Sequence, residues 1–167
     1  MTNAIRFGKK KIRAKSKELL KTPLNSPMFK IKILSVGKTK ETWLHAAIEE
    51  YQKRLQGVAE IEWVWAKDDP QLVALVSREP LVICLDPNGK VFSSEQFSTF
   101  LMRKLEEGGS RLAFVIGGAD GLPASLKQNK EAISLSLLTF THQITRLVLI
   151  EQIYRALEIA KGSRYHK

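Results

Sequence analysis

The stretch Phe114-Val115-Ile116-Gly117-Gly118-Ala119-Asp120-Gly121-Leu122 decides the fold. A short continuous apolar run, Leu112–Ile116, ends in three glycines within five residues. Such a run reads as a strand buried on both faces. Glycine permits backbone shapes closed to other residues and lets a ligand approach the main chain. A tight turn of positive φ and a ligand-binding loop explain this spacing equally well. The pattern is not G-x-G-x-x-G, and no phosphate-loop lysine accompanies it, so a dinucleotide fingerprint is not supported.

The same alternation of strand and helix extends outward from this stretch. Upstream, Phe29–Val36 reads as a strand. Residues 41–55 read as a helix, with Trp43, Leu44, Ala47, Ile48, Tyr51 and Leu55 at helical spacing. Ala59–Trp65 sets Ile61, Trp63 and Trp65 against Glu60 and Glu62, a half-buried strand. Pro70–Ser77 fits a short helix. Leu81–Asp86 is a buried strand, followed by the turn residues Pro87-Asn88-Gly89-Lys90. Ser93-Ser94-Glu95-Gln96 supplies N-cap chemistry for a helix to about Glu106. Downstream come a short helix over Pro123–Asn129, a strand-like segment Ile133–Leu137 and a long final helix, His142–Ala160. This alternation implies an α/β fold with a largely parallel sheet. In such sheets ligands bind at the carboxyl ends of strands. Those ends are Asp86–Lys90 and Gly117–Gly121.

The chain has 167 residues, enough for one domain with a real core. Its longest apolar runs fall far short of the ~20 residues that cross a bilayer. The single cysteine, Cys84, has no partner for an intrachain disulfide and reads as a buried small hydrophobe. With no signal peptide evident, it favours a reducing, cytoplasmic setting. The net charge of +10 is uneven. Residues 1–27 hold eight Lys/Arg and one acid, Glu18, for +7, while the remaining 140 residues carry only +3. Residues 1–27 therefore read as a basic extension that ends in Thr22-Pro23-Leu24-Asn25-Ser26-Pro27, with a disordered tail, an organellar targeting segment and upstream sequence added by a start-codon choice as competing readings and a Lys-rich RNA-contacting arm as a fourth. The domain is 28–167.

Three further segments are candidates for function. Leu135–Gln143 leads into the last helix, where a lone His142 is more often structural than catalytic. The three histidines lack metal-ligand spacing, so no metal site is expected. In the last helix, Ile144, Leu147, Val148, Ile150, Ile153, Leu157 and Ala160 form an apolar face wider than one core contact needs. Core burial alone is one reading of it, and a symmetric dimer contact is the preferred one. Glu151 and Arg155 stand at ion-pair spacing. The terminal Arg164-Tyr165-His166-Lys167 offers cations, a ring and an imidazole suited to phosphate contact and base stacking, although on the residues alone a frayed basic tail is the favoured reading.

Taken together, these segments resemble the RlmH family, the bacterial ribosomal RNA large-subunit methyltransferases H of the SPOUT superfamily. The resemblance runs through Phe29–Lys38, Glu50–Leu55, Phe114–Gly118, Leu135–Gln143, Leu149–Ala156 and Tyr165–Lys167, and so covers residues 28–167. It implies a Rossmann-like sheet with a C-terminal trefoil knot, which periodicity could not have revealed. It also implies a homodimer. The implied reaction is methyl transfer from S-adenosylmethionine to N3 of a pseudouridine in 23S rRNA, within assembled ribosomes. The family's cofactor positions fall on Leu85, Gly117, Leu135, Ser136, Leu137, Leu138, Thr139 and Phe140. Tyr165 and His166 become candidates for the RNA side of the site, and His166, Asp86 or water for the general base. Two departures stand out: a short Trp65–Leu81 connection, and Thr141 where the family commonly has proline.

Two other classes of function compete: a catalytically inactive RNA-binding module of the same fold, and an unrelated small nucleotide-binding protein. Cofactor binding would argue against the first. The missing phosphate-loop lysine argues against the second. Because residues 1–27 lack the apolar content of a core, their deletion should leave the cooperative unfolding of the domain unchanged. A circular-dichroism melt checks this, and a shortened chain that fails to fold would show that the segment packs on the domain.

Overall fold

A computed structural model describes residues 28–166. The extension 1–27 and Lys167 lie outside the described residues. Five strands, β1 (Phe29–Val36), β2 (Ala59–Ala66), β3 (Val82–Val91), β4 (Arg111–Ile116) and β5 (Glu131–Ser134), form one sheet in the order β2-β1-β4-β3-β5. All four pairings are parallel. The helices are α1 (Thr42–Leu55), α2 (Asp69–Val76), α3 (Ser94–Glu107), α4 (Ala124–Asn129) and α5 (His142–Lys161).

Two apolar layers fix this arrangement. On one face Phe29, Ile31, Ile33, Ile83 and Phe114 pack against residues of α1, α3 and α5. On the other, Leu34, Cys84 and Val115 meet Leu72 and Val76 of α2 and Leu126 of α4. The side chains of a strand alternate between the two faces, so β4, covered on both, is apolar from Leu112 to Ile116, whereas β1 keeps Lys30 exposed and Lys32 half-buried near its start. Edge strand β2 instead keeps Glu60 and Glu62 exposed. Trp63 and Trp65 stack on each other with ring centroids 5.3 Å apart. Local chemistry sets the helix boundaries. Ser93 and Gln96 make a complete capping box at α3, and Asp68 accepts from the Gln71 amide to cap α2 within the short Trp65–Leu81 connection. Gly162, at φ 77°, ends α5 in the left-handed conformation.

Two strand boundaries differ from the sequence expectation. The expected turn at Pro87–Lys90 is an excursion inside β3: both Leu85 and Lys90 register with Ile133 of β5. Gly89 allows this, because a Cβ there would stand 2.5 Å from the Ile133 carbonyl carbon. The last strand occupies Glu131–Ser134 rather than Ile133–Leu137. Its continuation is diverted by local hydrogen bonds. The Ser134 hydroxyl donates to the Ser136 carbonyl, and the Ser136 hydroxyl accepts from the Leu138 amide.

Arg146 departs furthest from expectation. It is one of the charged positions of the last helix, yet its side chain is fully buried. Its guanidinium donates to the Ser35 and Thr39 hydroxyls, the Val36 and Gly37 carbonyls and the Gln143 side chain. It also lies 4.9 Å from the centroid of the Trp65 ring.

Cys84 is fully buried, and burial pushes its thiol up to about 11. A raised value favours the neutral thiol, so the reactive thiolate is scarce below that pH. Native protein at pH 8 should resist iodoacetamide for hours and react on addition of denaturant, as mass spectrometry would record. Rapid labelling of the native chain would contradict this burial.

Candidate cofactor site

The carboxyl ends of β3, β4 and β5 open into one cavity of about 550 Å³. Such a volume lies within the range of small-molecule sites. Three loops build it. The β3 excursion contributes Asp86, Pro87 and Asn88, the glycine loop contributes Gly117–Leu122, and the connection from β5 to α5 contributes Ser134, Leu135, Ser136, Leu138, Thr139, Phe140 and Thr141. Leu85, Ile116 and Ile133 form the floor. The first turn of α5 adds His142 and Thr145, and α4 adds Lys127.

The glycine loop is shaped by its own main chain. A Cβ on Gly117 would stand 2.3 Å from the Gly121 carbonyl and 2.6 Å from the Leu122 nitrogen. Gly121 adopts φ 85° and donates its amide to the Gly118 carbonyl. The tight-turn reading is thus met at Gly117 and Gly121, and the turn lines the cavity. At Gly118 a Cβ would meet only the Val36 side chain, at an ordinary 3.5 Å.

Electrostatics divide the cavity. At one side the Asp86 carboxylate accepts from the Asn88 amide at 2.8 Å and stands 3.7 Å from Lys127 Nζ. The β5–α5 side is neutral, formed by serine and threonine hydroxyls, main chain and apolar side chains. His142 has its imidazole held below its ordinary value, first by burial and then by the charge of Arg146, and so is neutral at physiological pH. Thr141, where proline was expected, caps α5 by accepting from the Ile144 amide.

Of the expected cofactor residues, Leu85, Gly117, Leu135, Ser136, Leu138, Thr139 and Phe140 all line this cavity. Leu137 does not; its side chain is turned to solvent, 89% exposed. Asp86 is inside. Tyr165 and His166 are outside its lining and pack against side chains of α3 and α5. Tyr165 meets the Tyr154 ring edge-on at 4.8 Å, and its hydroxyl donates to Glu151. His166 Nε2 donates to Glu95, while its Nδ1 accepts from Arg155. The bond from His166 is the first cause holding the Glu95 carboxyl down at about 2. Burial pushes the Tyr165 phenol up to about 12, so it stays a donor and cannot serve as a base near neutrality. The expected Glu151–Arg155 pair forms at 2.6 Å. His142, Thr145 and Lys127 are additions. The i,i+3 spacing of His142 and Thr145 at the start of a helix was the available signal for two of them. Among the described residues no cluster of His, Cys, Asp or Glu could hold a metal ion.

The cavity lies at the strand ends of a parallel sheet, framed by a glycine turn and a long loop into the last helix. The family described as "Predicted SPOUT methyltransferase" matches residues 29–166. A ribosomal RNA large subunit methyltransferase H of Protochlamydia amoebophila is 63% identical over 140 residues, covering 84% of this chain and all of that protein. Proteins of the same name from Symbiobacterium thermophilum and Streptococcus equi subsp. zooepidemicus are 39% and 41% identical, each over 83% of this chain and 99% of their own length. The chain therefore belongs to the SPOUT methyltransferases and, within them, to the ribosomal RNA large subunit methyltransferase H family.

The two neighbouring glycines give a matched pair of substitutions. Gly117→Ala forces a methyl into main chain and should cost upwards of about 3 kcal/mol through strain. Gly118→Ala has room and should be nearly neutral. Thermal melts of both variants compare them, and equal melting points would contradict this geometry.

Proposed function

We propose that this chain is an rRNA methyltransferase that uses S-adenosylmethionine to methylate N3 of a pseudouridine in 23S rRNA, in assembled ribosomes. The observation that carries this reading is the convergence of Leu85, Gly117, Leu135, Ser136, Leu138, Thr139 and Phe140 on one cavity. Membership in the family supports the trefoil knot in the C-terminal part, the homodimer and a cytoplasmic location beside its substrate. Among the described residues no helix is long and apolar enough to cross a membrane. The extension 1–27 lies outside the catalytic domain.

The cavity suits this donor. Its main-chain groups and hydroxyls can satisfy the polar edges of an adenosine, and its leucines and Phe140 can cover the ring. When bound, the donor supplies an electrophilic methyl group on sulfur. The protein's part is then alignment of that methyl with the target nitrogen. The target base must be unstacked to reach it. N3 loses its proton on methylation. Asp86 faces the cavity and can take it, as can a water molecule; neutral His142 is a further candidate on the α5 side.

The homodimer reading has support in α5, where Ile144, Leu147 and Val148 stay only half-buried by their own subunit. A second chain on this face could bring its terminal Tyr165 and His166 to the cavity, completing a shared site. His166 would then join Asp86 as a candidate base.

In a strain lacking this protein, mapping of 23S rRNA should show one pseudouridine that has lost its methyl group, with recovery on re-expression. Unchanged rRNA methylation would overturn the proposal, and an intact domain that binds ribosomes but neither binds donor nor methylates would favour the inactive RNA-binding reading. Truncation after Arg164 removes three residues and almost no core. That variant should keep donor affinity by calorimetry and lose at least tenfold in methylation rate; undiminished turnover would take the terminus out of the chemistry.

A further inference from the structure

The connection from β1 to α1 has chemistry that neither the core nor the cavity uses. Lys38 and Lys40 are exposed, and neither is paired among the described residues. Trp43, on the first turn of α1, is 57% exposed, the most exposed aromatic side chain among the large hydrophobics at the surface. A tryptophan so placed adds little to burial. Glu41 and the His45–Glu49 pair are the neighbouring ionisable groups, and they leave the two lysines free.

The loop is held in place beside the cavity. Strands β1 and β4 are adjacent, with Ser35 in register with Ile116, so this loop and the glycine loop leave the sheet side by side. The closeness of Gly118 to the Val36 side chain reports the same contact. From α5, buried Arg146 donates to the Val36 and Gly37 carbonyls and to the Thr39 hydroxyl. The helix that lines the cavity with His142 and Thr145 therefore also grips the base of this exposed loop. Elements that position ligands are built this way, with surface groups on a backbone locked by buried contacts.

We infer that the segment Gly37–Trp43 is an RNA-contacting surface, in which Lys38 and Lys40 meet backbone phosphates and Trp43 stacks on an unpaired base. This rests on the rRNA methyltransferase reading above and assigns a surface that the reading leaves open. The residue types fit: lysines neutralise phosphates without regard to sequence, and an exposed indole stacks on any base. Occupation by RNA at the rim of the cavity would fix the register of the strand from which the target base is presented.

The test uses the full chain and 70S ribosomes from a strain lacking it, with binding followed by pelleting between 50 and 200 mM salt. Variants are W43A and the double variant K38E/K40E. The control is K53E, an exposed lysine at the opposite end of α1. Each test variant should weaken ribosome binding about tenfold, within the range expected when a stacked base or a pair of neutralised phosphates is removed. For K38E/K40E the slope of log affinity against log salt should fall by about 0.7 for each single-strand phosphate that the side chains no longer neutralise. KM for ribosomes should rise, with kcat, donor affinity and oligomeric state unchanged. K53E should stay within twofold of the parent. Variants that bind ribosomes like the parent would overturn the inference and leave the methyltransferase reading standing. A changed oligomeric state in the variants would overturn it in favour of a subunit contact. A parent chain that neither binds nor methylates ribosomes would remove the methyltransferase reading itself.

Discussion

The Arg146 guanidinium lies out of water, and each of the groups it touches is neutral. Burial draws it down to about 10, still high enough to keep its charge at physiological pH. A buried cation is tolerated only where its hydrogen-bonding groups are matched, and removal of a partner leaves an uncompensated charge. The end of β1, the start of α5 and the Trp65 ring of β2 are therefore held as one unit. The helical wall of the cavity inherits its position from that unit, since His142 and Thr145 stand within one turn of Arg146. The cavity and the neighbouring surface loop thus share one anchor.

The cavity itself comes from close approach of main chain to main chain. Gly117 lets the turn fold back on Gly121, and Gly89 lets β3 rejoin β5 beside Ile133. Both glycines sit where a side chain would overlap backbone, which cannot move aside as a flexible side chain can. Close packing at these two points leaves an opening between them. Hydroxyl groups then bend the chain from β5 toward α5 across that opening.

Alternation of apolar runs with helical spacing made the sheet and its helices legible, because β4 is buried on both faces along an unbroken apolar run and β1 places Lys30 and Lys32 only near its less covered start. The cap at Ser93 acts within a few residues and was equally open to reading. The misread places depend on partners distant in sequence. Pro87–Gly89 carries turn chemistry, and only Ile133, more than forty positions on, lets the strand resume. Arg146 looks like any charged residue on a long helix until Ser35 and Gly37 are brought to it. The cofactor positions implied by the resemblance gather on one cavity, apart from Leu137. The resemblance also carried Tyr165 and His166 to an RNA site, whereas within one subunit they rest against Glu95, Glu151 and Tyr154.

The sheet ends on one side at β2 and on the other at β5. An unpaired strand edge is a template for foreign strands, and proteins commonly blunt it with charge or brevity. Here Glu60 and Glu62 alternate along the first edge, and the second is only four residues long before the serine-led bend. Growth of the sheet by addition of another chain is thereby discouraged at both ends. For a slow-folding parallel sheet, whose edges stand open until distant segments arrive, that protection matters most during synthesis, before the last helix has closed over the core.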